Sequence, residues 1–135
     1  MSSPVRGLTE VVLWTGNLER SLSFYHELFG LPHITPPKPP HGILKAGDGA
    51  GGIPDMIILV PHPDPTVAFP REKKQRVLHH IALNVEPDRY EELRAACEKA
   101  GLALRHGQHA FLKGVRTFYV DDPDGNEVEV ITTAS

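Results

Sequence analysis

The sequence predicts an α+β protein made of two βαβββ units, which form a curved mixed sheet that encloses a cleft. The main observation is an internal repeat: LTEVVLWT (8–15) aligns with LHHIALNV (78–85), and Glu10 falls on His80 at an offset of 70 residues (80 − 10). Both segments alternate in polarity and are rich in aliphatic residues, as strands are. A helical pattern follows each segment at once. Such a repeat indicates that each half buries one sheet face against its own helix.

Both predicted helices have recognisable beginnings and ends. In the first half, apolar residues recur at three- and four-residue steps over 18–29. Asn17 is the predicted N-cap of this helix, and Gly30 is its predicted stop. The second helix is predicted to begin near Pro87 and to end at Gly101, since proline suits the first helical turn.

Shorter strand-like runs follow each helix. A strongly specified turn, DDPDGN (121–126), separates the last two, because proline and glycine supply the backbone angles of a tight turn. Residues 1–135 are therefore predicted to form a single domain, with units at about 6–62 and 77–133 and a proline-rich connector over 61–76. The predicted strands lie at 41–46, 55–61, 102–106, 114–120 and 126–132.

Composition narrows the classes of partner. The formal charge is −3 and 40% of the 135 residues are hydrophobic, so we expect a globular protein with no nucleic-acid or membrane partner. The one basic cluster, Arg71 to Arg76, is interpreted as a solvated linker. The single cysteine, Cys97, excludes an intrachain disulfide and is expected to be a small buried hydrophobe. Residues 1–7 lack the apolar segment of a signal peptide, so a cytoplasmic location is expected.

Strand alternation selects the candidate site residues. Val11 and Leu13 share the face that meets the first helix, which leaves Glu10 on the opposite face. The same reasoning places His80 and Glu129 on the non-helix side of the sheet. Two carboxylates and an imidazole together suit a divalent metal such as Zn, Ni, Mn or Fe. The alternative is that these are unrelated polar side chains on a solvated sheet face.

At these residues the sequence resembles the vicinal oxygen chelate superfamily, which includes glyoxalases, bleomycin resistance proteins and extradiol dioxygenases. The resemblance covers nearly the whole chain. Three segments carry it: LTEVVLWTGNLERSLSFYHELFGLP, LHHIALNVEPDRYEELRAACEKAGL and RTFYVDDPDGNEVEV. The last of these is the most specific.

The resemblance implies metal ligands at Glu10, His80 and Glu129, with a fourth position near Ile57. This sequence departs from the family twice, because an isoleucine cannot bind metal and because members commonly carry His, or Gln in some glyoxalases, where Glu10 stands. His79 is expected to point away from the site.

Two further residues are candidates by the same resemblance. Extradiol dioxygenases similarly place a His and a Tyr ahead of the metal-binding Glu, which here implies His109 and Tyr119. Arg116 and Tyr119 lie three residues apart and should point to opposite faces of their strand.

Three functions follow as hypotheses. The first is a metal-dependent, glyoxalase-like lyase or isomerase that binds a small substrate through vicinal oxygens, with Glu10 or Glu129 as base. The second is an Fe(II) extradiol-type ring-cleaving dioxygenase. The third is a metal-free drug-binding protein that uses Trp14 and Glu10, although we expect Trp14 to fill the core. The resemblance also implies a homodimer, and it leaves open whether 35–55 forms a lid.

Overall fold

A computed structural model describes residues 2–34 and 42–133. The chain divides into two compact units, Met1–Ala68 and Phe69–Ser135. The predicted α+β class is confirmed, and each unit has one mixed sheet with helical segments beside it in sequence. That the two units make one domain stays a prediction. Among the described residues, no helix has the length and apolar character needed to cross a membrane.

The first unit has the element order β-α-β-β. Its sheet has the strand order β1-β3-β2, in which β1 and β3 are parallel and β2 is antiparallel to β3. The elements are β1 (Glu10–Thr15), α1 (Leu18–Leu22), a π-helical segment (Ser23–Leu28) that continues it, β2 (Gly42–Ala50) and β3 (Ile53–Pro61).

The helix of this unit begins and ends as predicted. The Asn17 side-chain oxygen accepts a hydrogen bond from the Arg20 N–H at 3.1 Å, which satisfies one of the free amides of the first turn. Gly30 has a φ of 75°, a conformation that glycine adopts without strain. Leu13, predicted on the face that meets the helix, is 7% exposed, and Tyr25, in the helical segment predicted over 18–29, is fully buried.

The βαβββ order predicts three strands after the first helix, whereas the described residues have two strands and one isolated bridge there. His33 bridges Leu44 of β2, flanked by hydrogen bonds from Lys45 N to Pro32 O and from Ile34 N to Ile43 O. Pro32 has no N–H for a longer ladder. The described part of this unit therefore has three strands instead of the four of a complete βαβββ unit.

Most of the segment considered as a lid is regular structure. Residues 42–50 and 53–55 belong to the β2–β3 hairpin, whereas residues 35–41 lie outside the described residues. Gly49 fixes the hairpin turn: its φ is +67°, and a Cβ there would lie 1.9 Å from the carbonyl oxygen of Ile53. Only glycine fits this position.

The second unit has the complete order β-α-β-β-β. Its sheet has the strand order β4-β7-β6-β5, with β4 and β7 parallel and the other pairs antiparallel. The described strands thus form one mixed sheet in each unit. The elements are β4 (Ile81–Asn84), a 3-10 turn (Pro87–Arg89), α2 (Tyr90–Lys99), β5 (Arg105–Gly107), β6 (Val115–Asp121) and β7 (Glu127–Thr133).

The core of the second unit lies between α2 and one sheet face. Tyr90 packs edge-on against Phe118 with ring centroids 5.3 Å apart. Cys97 is fully buried, and burial raises the pKa of its thiol to about 11, so its predicted role as a small buried hydrophobe is confirmed. The other fully buried apolar residues are Val120, Val128 and Val130.

The interpretation of the basic cluster as a solvated linker is wrong for two of its members. The Arg76 guanidinium donates to Asn126 Oδ1 at 3.2 Å and to the carbonyl oxygen of Asp124, both in the 121–126 turn. Lys73 pairs with Glu127 at the start of β7. The 121–126 turn brings backbone and side-chain acceptors close to the basic cluster. A search of the sequence for runs of charge does not detect this contact, because the two segments are far apart along the chain.

Candidate metal and substrate site

Three predicted site residues come together on the non-helix face of the second unit's sheet. His80 immediately precedes β4, Glu129 is central in β7, and Tyr119 lies in β6. Glu129 stands opposite both Ala82 of β4 and Tyr119 of β6. The sheet register therefore brings the carboxylate and the phenol together, and the imidazole of His80 lies next to both.

His80 and Glu129 are in direct contact. The Nε2 atom of His80 lies 3.1 Å from Oε1 of Glu129, whose side chain is only 2% exposed. The second carboxylate oxygen, Oε2, is buried and has no hydrogen-bond partner in the described part of the chain. Leaving a carboxylate oxygen buried and unpaired is costly unless a cation or a donor reaches it.

This pair fits a divalent cation. Carboxylate oxygen and imidazole nitrogen are ligands of Zn, Mn, Fe and Ni in proteins. A cation beside Oε2 would supply the partner that Glu129 lacks, while His80 is 32% exposed and remains accessible. We therefore regard His80 and Glu129 as the residues of this unit that would hold a metal.

Tyr119 closes one side of the pair. Its ring lies 5.9 Å from the His80 ring, centroid to centroid, in an edge-on arrangement. Burial and the nearby negative charge of Glu129 raise the pKa of Tyr119, so its phenol stays protonated and can donate a hydrogen bond at neutral pH.

Arg116 and Tyr119 point to opposite faces of β6, as predicted. Arg116 lies on the helix side of the sheet, with its guanidinium carbon 4.4 Å from the centroid of the Tyr90 ring. It also pairs with Glu91 of α2. Arg116 therefore takes no part in the His80–Glu129 cluster.

The structure adds His79 to this cluster, although alternation predicted that it would point away. The Nδ1 atoms of His79 and His80 are 2.7 Å apart. The rule of alternation fails here because β4 begins at Ile81, so both histidines precede the regular strand. The consecutive pair of histidines was the only signal in the sequence that could have suggested this contact.

Glu127 is a second carboxylate near the histidines. One ligand atom each from His79, His80 and Glu127 lie within 4.8 Å of one another. Burial opposes ionisation of Glu127, but its bonds to Lys73 and Arg105 outweigh this and lower its pKa. Because two cationic side chains already neutralise Glu127, the unpaired oxygen of Glu129 is the better site for a metal.

His109 lies in the loop between β5 and β6. Its Nδ1 accepts hydrogen bonds from the backbone N–H groups of Phe111 and Leu112, at 3.1 and 3.0 Å. In the described residues it has no hydrogen bond to Tyr119 or His80. The structure thus does not join His109 to Tyr119, and a catalytic role for His109 stays a prediction.

Glu10, in the first unit, is exposed at the start of β1 and stands opposite Met56 of β3. Trp14 lies on the same face, and the expectation that it fills the core is wrong. Its side chain is 52% exposed and contacts His62 edge-on, with ring centroids 4.9 Å apart. Val12, between them in sequence, is also 52% exposed, so this face of the first sheet is largely apolar and open.

The register also corrects the fourth predicted ligand position. Val12 of β1 matches Ala82 of β4 in the repeat, and Val12 pairs with Ile58, as Ala82 pairs with Glu129. The counterpart of Glu129 is therefore Ile58 and not Ile57, which is buried on the opposite face. The conclusion that the first unit offers no ligand at this position is unchanged.

The second unit is thus a βαβββ unit with a histidine, a buried carboxylate and a phenol on the non-helix face of its sheet. The model of the Glyoxalase/Bleomycin resistance protein/Dioxygenase superfamily matches residues 7–130. The chain belongs to this superfamily.

Solved structures share the fold. A glyoxalase/dioxygenase from Nostoc punctiforme is 19% identical, with 100% of this chain and 97% of that chain covered and a TM-score of 0.75. An integron cassette protein from the Halifax Harbour sewage outfall metagenome is 22% identical, with 95% and 99% covered and a TM-score of 0.67. The fosfomycin resistance protein FosX from Listeria monocytogenes is 16% identical, with 95% and 93% covered and a TM-score of 0.65. At these identities the likeness concerns the fold alone.

Proposed function

We propose that this protein is a divalent-metal-dependent enzyme that binds a small substrate through two neighbouring oxygens and catalyses glyoxalase-like proton transfer, as a lyase or isomerase. The observation that carries the proposal is the buried Glu129 carboxylate, which contacts His80 through one oxygen and, among residues 2–34 and 42–133, has no partner for the other. Membership of a superfamily that includes glyoxalases supports the same conclusion.

His80 and Glu129 would hold the metal in this proposal, and the family resemblance adds Glu10 as a third ligand. A bound divalent cation would stabilise the negative charge that develops on the substrate oxygens when a proton leaves the neighbouring carbon. Zn, Ni, Mn and Fe are all compatible with these ligand types.

The protein's own groups would carry the proton transfer. Tyr119, protonated at neutral pH, is suited to donate a hydrogen bond to a substrate oxygen. Glu10 and Glu129 are the two candidate bases. Glu129 is buried beside His80 and is better suited to holding the metal, whereas Glu10 is exposed and can exchange protons with solvent.

A second candidate function is metal-free binding of a cationic or aromatic small molecule. The observation that favours it is the exposed Trp14 on the face that carries Glu10, since an open aromatic face beside a carboxylate attracts organic cations. In this case binding would persist after complete removal of metal.

Metal analysis separates the two candidates. Protein purified without chelator or affinity metal is assayed for transition metals and then titrated with Zn(II), Ni(II), Mn(II) and Fe(II). We expect about one equivalent to bind, and Glu129→Gln to weaken binding at least about tenfold. Glu127→Gln is the matched control, because this carboxylate lies on the same strand face but is already paired with Lys73 and Arg105.

The outcomes separate clearly. A wild-type protein that takes up none of these ions would overturn the enzyme proposal and leave the metal-free candidate. If the Fe(II)-loaded protein consumes oxygen when catechols are added, the protein is a ring-cleaving dioxygenase, and the proposal of proton transfer is overturned.

We also propose a homodimer, on the resemblance alone. Light scattering coupled to size-exclusion chromatography tests it, and a mass near the 14.9 kDa of one chain would overturn it.

A further inference from the structure

We infer that His79 is a positioning residue for His80, which it orients so that Nε2 faces Glu129 and can offer its lone pair to a metal. The inference rests on the proposed metal site and assigns a role to a residue that the family resemblance leaves out. The juxtaposition that carries it is the 2.7 Å contact between the Nδ1 atoms of the two consecutive histidines.

Both nitrogens of His80 have partners, and the partners differ. Nε2 lies 3.1 Å from Oε1 of Glu129, and Nδ1 lies 2.7 Å from His79. Rotation of the ring would break both contacts. Because the His80 side chain is 32% exposed, the surrounding protein alone does not fix the ring, and His79 supplies the restraint on the solvent side.

The chemistry of imidazole explains why a histidine suits this position. With both imidazoles neutral, the 3.1 Å contact with a carboxylate assigns the proton of His80 to Nε2, so that Nδ1 of His80 accepts from Nδ1–H of His79. To offer the Nε2 lone pair, neutral His80 must carry its proton on Nδ1 and donate it to Nδ1 of His79. Metal-binding histidines generally donate their other N–H to a protein acceptor, which fixes the tautomer.

The protons balance in this change. One proton leaves His80 Nε2 for solvent, the proton of His79 Nδ1 passes to His80 Nδ1, and one proton enters from solvent at His79 Nε2. Both imidazoles are neutral before and after. His79 is exposed, so its far nitrogen can exchange with water. A side chain that only donates or only accepts could serve one of these states but not both.

Titration of Zn(II) into four proteins, followed by calorimetry, tests the inference. The proteins are the wild type, His79→Ala, His79→Asn and His106→Ala. We expect His79→Ala to weaken binding about ten- to a hundredfold, the usual effect of removing a partner of a metal-binding histidine. His79→Asn should recover most of this loss, because its amide can donate or accept at a position close to that of Nδ1.

His106→Ala is the control for the loss of an exposed imidazole in the same unit, and its affinity should equal that of the wild type. Nitrogen-15 NMR of the histidine rings provides a readout that does not depend on metal. In the metal-free wild type, His80 should show the tautomer with the proton on Nε2, and His79→Ala should shift the nitrogen-15 signal of His80 Nδ1, which loses its hydrogen-bond partner.

Failure of this inference differs from failure of the proposed function. If the wild type binds no Zn(II), the proposed function fails, and the NMR signals of the metal-free protein still test the histidine contact. If the wild type binds and His79→Ala binds equally well with unchanged NMR signals, His79 has no positioning role. If Glu127→Gln abolishes binding and Glu129→Gln does not, His79 is itself a ligand, and the inference is overturned.

Discussion

Tyr119 and Glu129 stand directly opposite each other on the antiparallel strands β6 and β7, with the Tyr119 ring also edge-on to His80. A phenol is thus held beside a buried carboxylate. The pairing makes the protonation of Tyr119 sensitive to the charge at position 129.

Glu129→Gln should lower the pKa of Tyr119. The pKa is raised by burial first, then by the charge of Glu129 and by the proximity of the carboxylate to the phenol; the substitution removes the charge at position 129 and leaves the effect of burial. Tyr119 should therefore ionise at lower pH in the variant, though still above the ordinary value. Spectrophotometric titration of the three tyrosines measures this, with Tyr119→Phe to identify the step. An unchanged titration of Tyr119 would show that the two side chains do not interact.

Glu129→Met should stabilise the metal-free protein. The substitution replaces a buried carboxylate, one of whose oxygens has no partner among the described residues, with an apolar side chain of similar size, and water can hydrate the His80 Nε2–H that loses its acceptor, since His80 is 32% exposed. We expect the free energy of unfolding to rise by about 1 to 2 kcal/mol. Urea denaturation in the presence of chelator gives the value. A loss of stability would mean that Glu129 is well compensated in the folded state, against the argument for a metal.

Arg76→Ala should destabilise the second unit. Arg76 donates to Asn126 and to the backbone of Asp124, and each hydrogen bond lost costs about 1 kcal/mol. We expect the free energy of unfolding to fall by about 1 to 3 kcal/mol. Lys74→Ala is the control, because Lys74 is 83% exposed and its pairing with Glu72 is weak. Equal effects of the two substitutions on thermal unfolding would contradict a specific role for Arg76.

Protonation of Glu127 should lower the stability of the folded protein at acid pH. Its folded-state pKa is below the ordinary value of 4.5, since the bonds to Lys73 and Arg105 outweigh the effect of burial. A depressed carboxyl pKa contributes stability above the unfolded pKa, and this contribution is lost as the pH falls through the folded pKa. Glu127→Gln should therefore flatten the loss of stability below about pH 4.5. If the free energy of unfolding falls equally in the wild type and in Glu127→Gln between pH 5 and pH 3, Glu127 does not form stabilising ion pairs with Lys73 and Arg105.

Much of the fold could be predicted from the sequence because the repeat and the alternation are strong signals. Asn17, Gly30 and Gly101 stand at helix ends for reasons of local geometry, and local geometry is what a sequence pattern reports. Alternation also predicts the face on which Glu129 lies, because Glu129 is inside the regular strand β7. These elements needed no knowledge of distant contacts.

Four expectations failed where the position of a side chain depends on tertiary structure and not on the local sequence pattern. Trp14 was expected in the core because it is large and apolar, yet its exposure depends on which sheet face is covered. Arg76 depends on a turn that lies about fifty residues further along the chain. His79 precedes the strand, where alternation no longer applies. Ile58 replaces Ile57 because only the observed pairing with Val12 fixes the register of β3.

That register has a consequence for engineering. In the first unit, Glu10, Ile58 and Ile43 occupy the positions that His80, Glu129 and Tyr119 occupy in the second. Three substitutions, Glu10→His, Ile58→Glu and Ile43→Tyr, would therefore copy the polar cluster onto the sister sheet without altering a backbone hydrogen bond. The sheet of the first unit can therefore receive a second cluster of the same three residue types, introduced one substitution at a time, and its metal affinity can be compared with that of the second unit.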